Sequence, residues 1–307
     1  MFHASYRAFG LTIASEIELP ELPIAEEAAA ADVLIRLDDT PEKLDGAVEI
    51  EPWVTARPGA MHFDFGVARF LIQSGREIVV TPTPGRSQRD IRAYLLGSAV
   101  GALLHQRGIL PLHANAVRLD DRAIAFIGPS GSGKSTLAAH LLDAGVEILC
   151  DDICAVTFDA AGCPMAWPGI PRIKLWSDAL AAFGRGSEGL EPVLDRDDKF
   201  SLPVPGDSVA GPLPLTRIYV LAQASPGVSA EVRPLQGAEA FAAVKANVYR
   251  EEFALPLGQA PRLFDNLLRL SRFGRVFAAE RNWGLDRLAE ESERLLSHMM
   301  AETRCFV

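Results

Sequence analysis

Two stretches of the chain carry residue types at spacings that do chemistry. The first is GPSGSGKST, residues 128–136, which sets Gly128, Gly133, Lys134 and Ser135 in the order G-x-x-x-x-G-K-[ST]. Glycines let backbone N–H groups converge on phosphate oxygens with no Cβ in the way. A helix that starts at the lysine turns its positive end towards the same anions. Ser130, Gly131, Ser132, Gly133, Lys134, Ser135 and Thr136 are therefore nucleotide-binding candidates. Lys134 would reach the β- and γ-phosphates, and the Ser135 hydroxyl would be a ligand for Mg2+. An apolar strand-like run precedes the loop and the helix-like STLAAHLLDAG follows it, which is the context the motif needs. ATP with Mg2+ is the expected ligand.

The second stretch is the acidic pair Asp151-Asp152, 17 and 18 residues after Lys134, at the end of the strand-like VEILC. A strand end beside a phosphate loop points at the triphosphate and its metal. One carboxylate there, Asp151, can help hold Mg2+ with Ser135; the other, Asp152, can take the proton of an attacking hydroxyl. The alternative is a surface turn, and the strand-like DDICAV that follows argues against a helix cap. His113 opens the strand leading into the loop, where it could orient a carboxylate, although a lone histidine at a strand end is more often structural. The other histidines, at 3, 62, 105, 140 and 298, show no joint spacing.

A third run, HFDFGVARF at 62–70, spells the magnesium loop of a eukaryotic-type protein kinase. Such a kinase uses a different glycine loop, carries its lysine on a strand, and has His-Arg-Asp upstream. Here Gln88-Arg89-Asp90 lies downstream, and Leu95 stands where Asn is required. Asp64-Phe65-Gly66 is thus expected to be a tight stretch between two strands. No Asn-Lys-x-Asp guanine motif occurs, which counts against a GTPase, and no Leu-Ser-Gly-Gly-Gln signature, which counts against a transporter ATPase.

The elements that must position these groups are legible in outline. The first ~90 residues read as short strands with Pro-, Gly- and acid-containing turns. SQRDIRAYLLGSAVGALLHQRG, 87–108, begins with Ser87 and Asp90 in capping positions and stops at Gly108, as a helix does. The domain boundary is placed near it: a β-rich domain over 1–90 and a catalytic domain over 91–307. Strands are expected at TRIYVLA (216–222) and RVFAAE (275–280), helices at 262–272 and 284–300, and a Gly-rich mobile loop at 184–198.

Composition narrows the class. With 307 residues, 49% hydrophobic and 23% charged, the chain is that of an ordinary globular protein. A formal charge of -10 argues against nucleic-acid and anionic-membrane partners, both of which attract basic surfaces. Cys150, Cys154, Cys163 and Cys305 form no Cys-x-x-Cys pair and read as reduced thiols. No run approaches the ~18 apolar residues of a membrane span, and MFHASYRAFG is unlike a signal peptide, so a cytoplasmic location is expected.

The run LHANAVRLDDRAIAFIGPSGSGKSTLAAHLLDAGVEILCDD resembles the core of the HPr kinase/phosphorylase superfamily, with its His-starting hairpin, phosphate loop, short helix and Asp-Asp pair. The resemblance implies an α/β fold: a P-loop kinase domain of the HPr kinase/phosphoenolpyruvate carboxykinase type, with an N-terminal mostly-β domain. It gives active-site roles to His113, Lys134, Ser135, Asp151 and Asp152, with Asp152 the proton acceptor from a substrate serine. Thr136 stands where true HPr kinases have Glu, and WPGIPRIKLW (167–176) replaces their glycine-rich stretch with its metal-binding Glu. These departures count against HPr itself as the acceptor and against the reverse phosphorolysis. YRAFGLTIASEIELPEL and LLHQRGILPLHANAV are similar to HPr-kinase-like proteins of bacterial peptide-modification systems, including kinases of lasso-peptide precursors.

The sequence thus points to a serine kinase acting on a peptide or small protein. Arg172, Lys174 and Lys199 are candidates for steadying the γ-phosphate or a phosphorylated product, and equally for solvated surface charges. A small-molecule kinase and a nucleotide-binding regulator without transfer activity are the rival readings. Assembly into a homo-oligomer stays open.

Overall fold

The computed structural model describes residues 4–25, 30–194, 198–204, 211–224, 230–273, 275–282, 284 and 287–301; His3, Cys305 and part of the 184–198 segment lie outside them. Eight strands between Ala4 and Pro82 build one sheet. Its strands are β1 (Ala4–Ala8), β2 (Leu11–Ser15), β3 (Val33–Leu37), β4 (Val48–Glu51), β5 (Val54–Arg57), β6 (Ala60–Asp64), β7 (Ala68–Gln73) and β8 (Glu77–Pro82). They lie in the order β1-β2-β3-β8-β7-β6-β5-β4, with β3 parallel to both of its neighbours and the other pairs antiparallel. Alternation sets the buried face: along β7, Ala68, Phe70 and Ile72 point inward while Arg69, Leu71 and Gln73 stay partly exposed. Burying Phe70 completely is worth about 2 kcal/mol.

A helical run covers that face. It consists of α1 (Gln88–Tyr94), a π-helical turn (Leu95–Ala99) and α2 (Val100–Arg107). The Ser87 hydroxyl accepts the Arg89 N–H at its start, and Gly108, at φ 67°, closes it in the left-handed conformation. The sequence predicts an unbroken helix here, and the π turn is the difference. Opposite it lies the Tyr249 ring, so close that a Cβ on Gly101 would sit 2.7 Å from a ring carbon. Ile91, Leu95, Ala99, Leu103 and Leu104 share one core with the sheet, and Ile153, Ala155, Phe253 and Leu257 from later in the chain join it.

The second large sheet has nine strands. They are β9 (Leu110–Leu112), β10 (Ala114–Leu119), β11 (Arg122–Ile127), β12 (Glu147–Cys150), β13 (Cys154–Phe158), β14 (Pro164–Trp167), β18 (Leu213–Gln223), β19 (Val232–Leu235) and β20 (Arg275–Arg281). Its centre is parallel: β18 lies between β11 and β20. Side chains on one face, such as Phe126, Tyr219 and Phe277, pack with α3 (Lys134–Asp143) and α7 (Leu288–Ala301). Those on the other, such as Ile127, Ile218 and Val276, pack with α5 (Gly237–Lys245) and α6 (Ala260–Phe273). Helices on both faces of a parallel centre make this a mixed α/β architecture.

A three-stranded sheet that the sequence does not announce borders the site: β15 (Arg172–Trp176), β16 (Glu191–Pro192) and β17 (Lys199–Pro203), with α4 (Ser177–Ala182) following β15. Its residues 191–192 come from the stretch expected to be a mobile loop. Ile173 and Leu175 enter the core, so Arg172, Lys174 and Trp176 share the opposite face. Among the described residues no helix is long and apolar enough to cross a membrane.

Candidate active site

The loop between β11 and α3 has the form its glycines imply. Gly128 takes φ 147° and Gly133, just before the helix, takes φ 76°, both in the region that disfavours side chains. A Cβ on Gly128 would lie 2.7 Å from the Leu221 carbonyl oxygen. Ser130, Gly131, Ser132, Gly133, Lys134, Ser135 and Thr136 line one wall of a cavity of about 400 Å3. The Lys134 ammonium folds back onto its own loop, donating to the carbonyl oxygens of Gly128 (2.8 Å) and Pro129 (3.1 Å). Burial pulls its pKa down, partly offset by the charges of Asp152 and Asp151.

Asp151 and Asp152 line the same cavity, just beyond β12. Adjacent in sequence, they have opposite surroundings. Asp151 is buried and ringed by donors: Asn115 Nδ2 (2.6 Å) and Ser135 Oγ (3.0 Å) reach Oδ1, and the Lys174 N–H (2.9 Å) reaches Oδ2. Burial, then the neighbouring Asp152 charge, raise its pKa, while Lys174 and the hydrogen bonds work the other way. Asp152 faces the cavity in the left-handed conformation, φ 73°. Burial opposes its charge, yet Lys174 at 2.6 Å and His113 at 3.2 Å hold it well below the usual carboxylate range. His113 Nδ1 meets two acceptors, the Asp152 carboxylate and, at 3.1 Å, the Asp152 carbonyl oxygen, so it carries the proton and donates.

The chain therefore brings His113, Lys134, Ser135, Asp151 and Asp152 around one cavity. Lys174 joins them directly and Lys199 lines the wall, its ammonium 5.6 Å from the Trp176 ring centre. Arg172 points elsewhere, into a buried cluster with Glu21 (4.0 Å) that also receives Arg92. Burial lowers the Arg172 pKa, with Glu21 working against it.

Three residues that sequence reasoning missed brace the site. Asn115 fixes Asp151; it lies two residues after His113, and that period-two spacing is the signal that could have found it. Arg281, at the end of β20, donates from its guanidinium to the Ser132 carbonyl oxygen (2.6 Å), and burial brings its pKa down to about 10. Asn247 Oδ1 accepts the Gly128 N–H (2.8 Å), and its backbone oxygen accepts the His113 N–H (2.8 Å). Neither Arg281 nor Asn247 belongs to a spacing pattern that marks it.

The donor set bears on a metal. Ser135 Oγ and Asp151 Oδ1 present hard oxygen atoms 3.0 Å apart on the cavity wall. Among the described residues no cluster of three or more His, Cys, Asp or Glu could hold a metal by itself. Two protein oxygens that leave the remaining positions to phosphate and water suit Mg2+, which keeps several waters and binds through one or two protein groups plus substrate phosphates.

Asp64-Phe65-Gly66 is the turn between β6 and β7: Asp64 Oδ1 accepts the Gly66 N–H (3.0 Å), and Gly66 takes φ 73°. No family model matches the chain, and no curated protein sequence does. Among solved structures, the HPr(Ser) kinase/phosphatase of Coxiella burnetii is similar with a TM-score of 0.34 and 14% identity, over 62% of this chain and 98% of that one. At that score the likeness carries no weight for the site, whose chemistry rests on the geometry above.

Proposed function

We propose that the protein is an ATP- and Mg2+-dependent kinase that transfers the γ-phosphoryl group to a serine hydroxyl of a peptide or small protein. One observation carries the reading: a glycine loop with its lysine and serine faces a pair of carboxylates, one bound to that serine and the other open to the same cavity. Residues 91–307 would be the catalytic unit, a P-loop kinase domain of the HPr kinase type, and residues 1–90 a β-rich domain for substrate recognition, in a cytoplasmic protein. A ribosomally made precursor peptide, such as a lasso-peptide precursor, is one acceptor of this class.

The chemistry follows from the residues. Bound Mg2+, held by Ser135 and Asp151, would neutralise phosphate charge. Loop N–H groups and Lys134 would orient the triphosphate, the lysine leaving the two carbonyls it now bonds. Asp152 would accept the serine proton as the serine oxygen bonds to phosphorus and the bond to the β-phosphate oxygen breaks, releasing ADP. A carboxylate held far below its usual range is a weak base. Drawing the Lys174 ammonium from Asp152 onto the γ-phosphate would restore its basicity when the nucleotide is in place. The exposed rim groups Trp176 and Asp178 favour an extended acceptor over a closed small-molecule pocket.

The test is transfer from γ-labelled ATP to peptides encoded beside the gene and to HPr, with Asp152→Asn in parallel. Label on a peptide serine that disappears in the variant supports the reading. Tight ATP binding by both proteins with no transfer would replace it with the regulator.

A further inference from the structure

The Asp-Phe-Gly turn has no part in phosphate chemistry, yet two of its residues line a second cavity. Its volume is about 420 Å3, and Trp53, Phe65, Tyr94 and Phe253 form its aromatic lining beside Glu51, Asp64 and Arg250, the last already paired with Glu252. The rings are held in place by one another. Phe65 stacks on Tyr94 (4.5 Å between centres) and on Phe63 (5.0 Å), and Phe63 meets Phe253 at 5.6 Å. Trp53 is half exposed at the rim. Among the described residues neither Glu51 nor Asp64 has an ion-pair partner. A ring face of this cluster already carries a guanidinium: Arg250 lies 5.8 Å from the Phe253 centre, its charge directed to Glu252 at 3.6 Å.

Aromatic faces attract cations through their quadrupole, and two carboxylates without cationic partners add to that attraction. Resting on the kinase reading, we propose that this cavity docks a basic side chain, arginine first, of the acceptor peptide. Arginine fits best because a planar guanidinium stacks on rings and pairs with carboxylates at once. The surplus negative charge of the whole chain favours the same partner.

The segment Asn247–Phe253 joins the two cavities. Its first residue bonds Gly128 and His113 beside the acidic pair, and its last lines the aromatic cavity. Six residue steps span at most about 21 Å even when fully extended. The acceptor used in the test is therefore given the reach of that segment, about seven residues.

The experiment compares a blocked seven-residue glycine-rich peptide carrying serine at one end and arginine at the other with the same peptide carrying citrulline, a neutral isostere. Binding is followed by calorimetry without nucleotide, on wild type, Trp53→Ala, Glu51→Gln and Asp64→Asn. Asp64→Asn keeps the oxygen that caps Gly66, so the turn survives, and thermal melting checks that each variant folds. Wild type should prefer arginine roughly fivefold; Trp53→Ala should reduce that preference most, and Glu51→Gln and Asp64→Asn each by a smaller part. No arginine preference in wild type, or one undiminished in all three variants, overturns the proposal. So does a dimer that Trp53→Ala dissociates, because a second copy would then fill the cavity. Transfer from ATP is measured separately. Docking without transfer would remove the kinase reading and keep a peptide site; transfer without preference would do the reverse.

Discussion

The two cavities are nearly equal in volume and opposite in construction. The first, about 400 Å3, is walled by a glycine loop, the Asp151–Asp152 pair and three lysines, and Ser135 and Lys174 bond to that pair. The second, about 420 Å3, is walled by rings packed edge and face, and its carboxylates stand at the surface. In the first, Asp151 and Lys134 are buried and Lys174 and Asp152 largely so, which makes each pairing strong and each loss large. In the second, exposed charges are screened and the rings supply most of the attraction. The difference teaches where substitutions will hurt: catalysis should depend steeply on single atoms in the first cavity and only gradually on any one group in the second.

The largest expected effect tests that contrast directly. Asp152→Asn should lower transfer by about 10^2- to 10^4-fold, the usual worth of a positioned base, while ATP still binds; single-turnover transfer and nucleotide titration measure the two. A loss of less than about fivefold would place both cavities in the gradual class.

Next comes the seam between them. Gly101→Ala would drive a Cβ to 2.7 Å from the Tyr249 ring, whose hydroxyl pKa is raised by burial and by the Asp152 charge. Denaturant unfolding should show a loss of about 1–3 kcal/mol, the range for overpacking a filled core. An unchanged midpoint would mean the ring moves freely and the cavities are not braced by it.

A third, smaller effect separates charge from packing in the first cavity. Lys174→Met removes the cation that depresses Asp152. Because the folded pKa lies below the unfolded value, the pair stabilises fully above about pH 4, and that contribution fades as pH falls through the folded value. The variant should therefore lose about 2 kcal/mol at pH 7 and less at pH 3. Equal losses at both pH values would assign the role of Lys174 to packing.

The arginine preference of the second cavity, roughly fivefold, is the smallest effect and the one most sensitive to salt.

What could be read in the sequence divides along the same lines. Ser87 and Gly108 mark the two ends of the helical run because capping is local chemistry, and the glycine loop announces itself for the same reason. The π turn between those ends does not, since it is matched by a tyrosine about 150 residues away. The acidic pair is legible from its distance to Lys134, but the opposite environments of its two members are not. Those depend on Asn115, Ser135 and Lys174, which only the fold brings together. Arg281 and Asn247 act through backbone carbonyl and amide groups, contacts that leave no spacing pattern. The β15–β17 pair stayed hidden because Lys199–Pro203, although Phe200 and Leu202 alternate with polar residues, is short and follows a charged, glycine-rich stretch.

Asn247 has a consequence in time as well as in space. Its side chain holds the amide of Gly128 and its backbone holds that of His113, so those two amides, at the open end of the β10–β11 hairpin, are protected by one residue. They should exchange with deuterium through a single opening, at matched rates, and a nucleotide that steadies the loop should slow both together. The phosphate loop and the histidine beside the acidic pair would then breathe as one body.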